Sequence, residues 1–448
     1  MPAPAIAQPD QRRVLTFVPR TGLDVLDPVW STSSVTVDHG FYVFDTLYGV
    51  GEMLRPSPQL AEGHTVSDDG LTWTIRLRDG LKWHDGERVL ARDCVASLRR
   101  WSARDGFGRL LARVVEAWEA ADDRTIRIRL KQPCAVLPDA LAHPQASPAF
   151  MMPERLALTS PTDKVTEMVG SGPMRFLKDE YQQGNRVAYA RFEGYVPRDE
   201  PPSGTAGGKR MYFDRVNWSI IPDDATAAAG IQTGALDWWE FINPDYVGTM
   251  QKTPKLRVEI ADRLGTNFIM RFNTIVPPFD NVRLRRVVLS AVEQGDFMPA
   301  IAGDVPGNWR TCYSQFACGL PGVTEAGETL MTGPKDLAKL RDAVKASGYN
   351  GEKVVLIMAA DYSLTAGLAP VAADLLGKLG LKVDLQQMDY GSWMQRRTSR
   401  ETSDKGGWNV IMSQGTSAVT ANRHSTCSSR ARAETAIPAG TTIPASSP

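Results

Sequence analysis

The chain has 448 residues, too many for one compact core, so two or three domains are expected. Lys plus Arg and Asp plus Glu balance at 51 each, so nothing marks a nucleic-acid surface, and no run of about 18 apolar residues suggests a membrane span. Five cysteines are too few for a disulfide scaffold.

The opening, Met1 to Gln8, lacks the basic and apolar regions of a signal peptide but carries small residues at the spacing of its cleavage end; for residues 1–12 a signal remnant and a disordered terminus both fit. Arg13 to Val18 is the first predicted strand. The segment Trp30 to Thr36 is polar around one Trp, which suits a ligand-facing loop or a Ser/Thr-rich helix cap, and makes Trp30, Ser31 and Thr32 candidate contacts. Val37 to Tyr48 reads as an amphipathic helix with His39 on its surface. Next, Leu71, Trp73, Ile75 and Leu77 alternate with polar residues, the period of a strand with one buried face. Asp79-Gly80 turns the chain into a short return strand, Leu81 to Trp83, and His84-Asp85-Gly86 turns it again. Cys94, Leu98 and Trp101 then recur at helical spacing.

The succession Ala61-Glu62, Asp69-Gly70-x-Thr72-Trp73, Leu77-Arg78-Asp79-Gly80, Lys82-Trp83-His84-Asp85-Gly86 and Ala91-x-Asp93 resembles the signature region of the extracytoplasmic solute-binding proteins of ABC importers. The family is the peptide/nickel type, family 5, which includes dipeptide- and oligopeptide-binding proteins. The resemblance implies an α/β, two-lobed periplasmic-binding-protein-like fold of class II type, with an extra subdomain in lobe one at about 37–165. Lobe one is expected over 13–262 and lobe two over 263–410. It further implies a peptide or other small polar solute held in an interlobe cleft, a permease and ATPase complex as partner with only peripheral membrane contact, a monomer, a periplasmic location, and no cofactor. Closure by population shift toward the liganded form would follow.

Farther along, Val114 to Ala120 and Arg124 to Leu130 form a predicted hairpin with Arg127 and Arg129 on its solvated side. Val169 to Phe176 resembles the family's Gly-x-Gly-Pro-x-x-Phe turn. The Pro/Gly-rich loop 198–210 is only superficially a phosphate-binding loop, because Ser203 stands where its first Gly belongs and Arg210 where its Ser or Thr belongs. A strand at Val216 to Ile220, a helix at Ala225 to Thr233 and the turn ending at Asp237 lead to Trp238 and Trp239. Adjacent strand residues face opposite ways, so one Trp is core and the other reaches a cleft; the pattern leaves open which is which, and Trp239 is taken as a candidate contact.

Beyond a crossover near 256–265, a strand at Asn267 to Asn273 and a helix capped by Asp280 or Asn281 open the second lobe. Cys312 and Cys318 are close enough in sequence to close a small loop in an oxidising compartment, two free thiols being the alternative. A helix at Pro334 to Ala346 follows. Then the strand at Val354 to Met358, the helix over Leu364 to Leu379 and the strand at Leu381 to Leu385 make a parallel βαβ unit. Residues 411–448 show no period and read as a disordered tail, and a frameshifted or miscalled end is expected there because the family pattern at Gly406 to Val410 does not continue.

No His-Glu-x-x-His, Gly-x-Ser-x-Gly or Cys-x-x-Cys occurs, and the histidines at 39, 64, 84, 143 and 424 lie at no metal-ligand spacing. No metal site and no catalytic residue is therefore expected. An enzyme on an α/β scaffold, and a sensor or chaperone on the same binding fold, are the alternatives. Of eleven Trp, Trp30, Trp239, Trp393 and Trp408 are the candidate cleft walls, with Ser31, Thr32, Asn267 and Asp389 as candidate polar anchors.

Overall fold

A computed structural model describes residues 13–416 apart from 52–53, 145, 263–264, 304–306, 315–317, 319–322 and 324. The expected N-terminal remnant and residues 417–448 of the expected tail lie outside the described residues. The chain divides into two compact units. The first runs to Ile242 and takes in Tyr246–Val258; the second comprises Asn243–Asp245 and the chain from Glu259 onward. Among the described residues no helix is long and apolar enough to cross a membrane.

The first unit is built on a five-stranded sheet in the order Met174–Phe176, Arg186–Arg191, Arg215–Ser219, Val14–Val18, Trp238–Trp239. The last three strands run parallel, and the first two are antiparallel additions. The Ser34–Val43 helix packs on one face of this sheet, and its His39 is fully buried rather than on the surface, because Tyr189 from the sheet meets it through a 2.8 Å hydrogen bond. Burial lowers the His39 pKa to about 3, so the ring stays neutral. The helix also ends five residues before Tyr48. Asp45 and Thr46 turn into a strand pairing with Phe150–Met151 instead, since Asp45 is needed to satisfy buried donors.

A four-stranded antiparallel sheet carries the second core of this unit, in the order Ala61–Val66, Thr72–Leu77, Thr125–Leu130, Val115–Ala120. The partner of Thr72–Leu77 is therefore Ala61–Val66, not the expected return strand; Leu81 to Trp83 contributes only a single bridge, Lys82 to Arg88. The predicted helix is present as Ala91–Arg104, and Cys94, Leu98 and Trp101 are all fully buried against this sheet. Arg129 pairs outward with Glu119 at 3.0 Å, as a solvated sheet face allows.

Two local devices fix the Ser34–Val43 helix. At its far end the Gly170-Ser171-Gly172 turn lies so close that a Cβ on Gly170 would sit 2.0 Å from the Val43 carbonyl oxygen, and one on Gly172 would sit 2.6 Å from that of Tyr42. His84 ties the same turn down: its backbone N–H donates to the Gly170 carbonyl at 2.8 Å and its Nε2–H to that of Gly172 at 2.9 Å. Before the helix, the loop after the first strand is held by Asp27, whose carboxylate is fully buried. It accepts from Arg100 Nη2 at 2.7 Å and Nη1 at 3.2 Å, from Val29 N at 3.0 Å and from Val165 N at 2.8 Å. The 198–210 loop is stitched down too. Lys209 Nζ donates to Asp45 at 2.8 Å, and Thr205 exchanges hydrogen bonds with Val50 at 2.9 Å, so the lysine is occupied structurally and no phosphate cradle forms.

The second unit contains a four-stranded sheet in the order Thr266–Phe272, Val410–Thr416, Lys353–Ala359, Lys382–Met388. Lys353–Ala359 runs parallel to both neighbours, with the Leu368–Lys378 helix connecting it to Lys382–Met388. Val410–Thr416 corrects the expected tail boundary: it is an interior strand, paired along all seven residues with Thr266–Phe272. Val410, Ile411 and Met412 are buried there, a tertiary gain that a short stretch of mixed pattern does not announce. Buried Asn409 locks it in place: its side chain accepts from Val355 N and donates to the Pro277 carbonyl, both at 2.8 Å. Cys312 and Cys318 are joined in a disulfide, and Gln294 brackets Cys312 through its backbone N and O at 2.8 Å each.

Removing one partner of a buried ion pair leaves an uncompensated charge. Asp27→Ala is therefore expected to cost about 3–5 kcal/mol in urea unfolding; a loss below about 1 kcal/mol would mean that the Arg100 guanidinium finds water in the folded state.

Candidate ligand site

In open α/β sheets, ligands bind beyond the carboxyl ends of parallel strands, where loops diverge and backbone polar groups are available. In the first unit these ends are Val18, Ser219 and Trp239. Phe17 is in register with both Trp218 and Trp238, so these three side chains leave the same face of the sheet, while Val18 and Trp239 turn to the other. A row of rings results: Tyr42 lies 5.5 Å from Trp218, Trp218 5.6 Å from Phe17, and Phe17 5.2 Å from Trp238. Trp218 is fully buried, whereas Trp238 at the open edge is 52% exposed.

Charged groups stand directly past these strand ends. Arg20 and Glu240 form a partly buried pair in which the Arg20 backbone N donates to Glu240 Oε2 at 2.9 Å and Nε donates to Oε1 at 2.7 Å; Nη2 also donates to Oε1. Asp38 projects from the Ser34–Val43 helix one turn before Tyr42 and interacts electrostatically with both. Burial, then the Glu240 carboxylate, push the Asp38 pKa up from 3.8 to about 7, and Arg20 only partly opposes this. Burial also raises Tyr42 to about 12, so its phenol stays protonated.

The second unit has a different edge. Past the parallel strands Lys353–Ala359 and Lys382–Met388, the rings of Tyr362 and Tyr390 lie 4.8 Å apart, and Gln414 Nε2 donates to the Tyr362 hydroxyl at 3.1 Å. This is an aromatic ledge with one amide, with Asp361 and Arg397 acting electrostatically on Tyr390.

The residues singled out from sequence take other places. Trp239 is 8% exposed and packs with Val18, Ala227, Ala228 and Met250; the expected division of the Trp pair exists, but Trp238 is the outward member. Trp408, 1% exposed, donates its Nε1–H to the Arg397 carbonyl at 3.1 Å, and Trp393 donates to that of Ile357 at 3.3 Å; both are core of the second unit rather than cleft walls. Trp30 is held against other elements, its Nε1–H donating to the Thr162 carbonyl at 3.1 Å, with Arg104 and Lys164 over its ring. Ser31 accepts from Ser33 N at 3.1 Å and shapes the approach to the helix, and Thr32 beside it is exposed. Asn267 lies half-buried in its strand opposite Gly415. Asp389 caps the Tyr390–Arg396 helix, accepting from Ser392 N at 2.9 Å.

Arg20, Asp38, Tyr42 and Glu240 are not singled out by the sequence, and Trp238 enters only as one of the undivided Trp pair. The signals available were Asp38 and Tyr42 at helical i, i+4 spacing and Glu240 two residues beyond Trp238, both legible only once the strand ends are known. The raised Asp38 pKa sets a sign for stability. The folded protein holds an extra proton between about pH 4 and pH 7, so Asp38 costs increasing stability as pH rises through that window and a constant amount above it. Glu240, Arg20, Tyr42 and Tyr189 are ionisable groups that interact with it electrostatically. The melting-temperature gain of Asp38→Asn is accordingly expected to grow by a few degrees between about pH 5 and about pH 8 in calorimetry; a pH-independent difference would refute the assignment.

The profile of the bacterial extracellular solute-binding proteins, family 5 (middle region), matches residues 55–429. The probable peptide ABC transporter periplasmic-binding protein y4tO of Sinorhizobium fredii is 36% identical over 403 residues, 89% of this chain and 75% of that protein. The glutathione-binding protein GsiB of Pectobacterium atrosepticum is 29% identical over 83% of this chain and 68% of its own length. The ABC transporter-associated periplasmic binding protein DppA of Helicobacter pylori, solved with the peptide STSA, superposes with a TM-score of 0.75 at 21% identity, covering 92% of this chain and 81% of that one, and so shares its fold. The chain belongs to the bacterial extracellular solute-binding proteins, family 5.

Proposed function

We propose that this protein captures a short peptide outside the cytoplasmic membrane and delivers it to the permease and ATPase of an ABC importer, acting as a monomer and catalysing no reaction. Family membership supports the solute-binding role, and the 36% identical relative, a probable peptide ABC transporter periplasmic-binding protein, supports a peptide. The geometric observation that carries the reading is the first unit's strand-end cluster. An exposed indole next to a partly buried Arg20–Glu240 pair offers apolar contact and both signs of charge, which is what a zwitterionic solute with an apolar side chain requires.

Isothermal titration of the full chain with a di- to pentapeptide library tests this. Saturable heats for a subset of peptides are expected, with Trp238→Ala weakening them about tenfold because the exposed ring is the contact surface. Silence across all peptides, together with binding of an opine, a sugar or a nickel complex, would replace the reading.

A further inference from the structure

The four-stranded antiparallel sheet of the first unit ends on the strand Val115–Ala120, which has a strand neighbour on one side only. The ladder fixes which backbone groups this leaves over. Ala121 N donates to the Thr125 carbonyl at 2.8 Å, while Ala120 stands opposite Ile126 and Trp118 opposite Ile128. In an antiparallel pair that step makes Glu119 the hydrogen-bonded position and turns the N–H and C=O groups of Trp118 and Ala120 away from the sheet. Arg99 of the Ala91–Arg104 helix agrees with this direction, since its Nη2 donates to the Trp118 carbonyl at 2.8 Å. The Trp118 N–H and both backbone groups of Ala120 have no partner among the described residues.

Folded proteins usually cover or blunt such an edge. Here a cavity of about 570 Å³ opens along it, lined by Trp118, Glu119 and Ala120 of the strand and by Arg92, Val95 and Arg99 of the helix. Ala157 and Leu158 add apolar surface to it, and Leu158 is 71% exposed. The charges around the cavity are unevenly matched. Glu119 pairs with Arg129 at 3.0 Å, Glu154 with Arg92 at 3.7 Å, and Arg100 with Asp27. Arg99 makes no ion pair among the described residues, and only its Nη2 is engaged. We propose that this groove takes an extended segment of a partner protein as a fifth strand beside Val115–Ala120, with a carboxylate of the segment on Arg99 and an apolar side chain on Leu158. In strand addition the main chain supplies affinity and alternate side chains supply specificity. Side chains two apart share a face, so the partner's acidic and apolar residues are set at i and i+2. A carboxylate is the group that the remaining guanidinium N–H donors of Arg99 fit. The groove shares no residue with the cluster around Arg20, Trp238 and Glu240, and it does not depend on the solute being a peptide.

Amide NMR on the full chain tests this with N-acetyl-Thr-Glu-Thr-Leu-Thr-amide. The peptide is expected to move the Trp118 and Ala120 amide signals saturably, and its counterpart with Lys in place of Glu to bind about fivefold more weakly or worse. Arg99→Gln, which keeps a donor for the Trp118 carbonyl, is expected to bring that ratio toward one. Ala120→Pro removes an N–H that no ladder bond uses, so the melting temperature is expected to hold while binding, followed at Trp118, falls about tenfold. Both effects are expected to persist in Trp238→Ala, which separates the groove from the solute site. Unmoved Trp118 and Ala120 signals, equal affinity for the two peptides in wild type, a preference that survives Arg99→Gln, or loss of the shifts in Trp238→Ala overturns the inference. So does sodium propionate binding as tightly as the peptide, which makes the groove a carboxylate pocket. Shifts that grow with protein concentration alone assign the edge to a second copy of this chain and overturn it as well.

Discussion

The buried pairing of Asp27 with Arg100 is the constraint on which the first unit's site depends. Neither charge has water to fall back on, so the loop carrying Asp27 cannot leave the Ala91–Arg104 helix without exposing both to a several-kcal/mol penalty. That loop runs straight from the first strand into the Ser34–Val43 helix, which is therefore anchored before it begins. Its other end meets the Gly170–Gly172 turn at distances that exclude any side chain. Asp38 and Tyr42 lie between these two anchors, so their positions are set from both ends of the helix.

Much of this architecture can be read in the sequence where one periodicity dominates. The alternation at Leu71 to Leu77 and the Cys94, Leu98, Trp101 spacing both report a buried face, and Trp73, Ile75, Leu77, Cys94, Leu98 and Trp101 are buried in the structure. The failures share a cause. Leu81 to Trp83 carries strand-like residues, but the sheet edge it would occupy is taken by Ala61–Val66. His39 looks like a surface residue until Tyr189, 150 positions away in sequence, supplies its partner. Val410–Thr416 has too short and mixed a pattern to declare itself, yet two neighbouring strands and Asn409 make it central.

The candidate site was far less legible than the fold. Tryptophans beside glycine or aspartate invite a reading as solute contacts, but Trp393 and Trp408 each find a backbone carbonyl for the indole N–H inside the second unit, which removes the cost of burying them. Of the adjacent Trp238 and Trp239, sequence establishes that they part ways and leaves open which one is outside. Only the register with Phe17 decides it. Asp38 is hidden for a deeper reason: Arg20 and Glu240, which act on it electrostatically, come from the segments after two other strands, and the helix sequence alone does not bring them together.

The loop 198–210 carries a consequence of another kind. By composition it is the stretch of the chain most like a spare linker, and such loop tips are where proteases cut and where inserted domains are tolerated. Its backbone tells otherwise. Ala206, Gly207 and Gly208 are buried, Thr205 is bonded to Val50 on both sides of its residue, and Lys209 reaches the wholly enclosed Asp45. The segment is a clasp closed over the first unit, and a tag or reporter grafted into it would open the protein rather than decorate it.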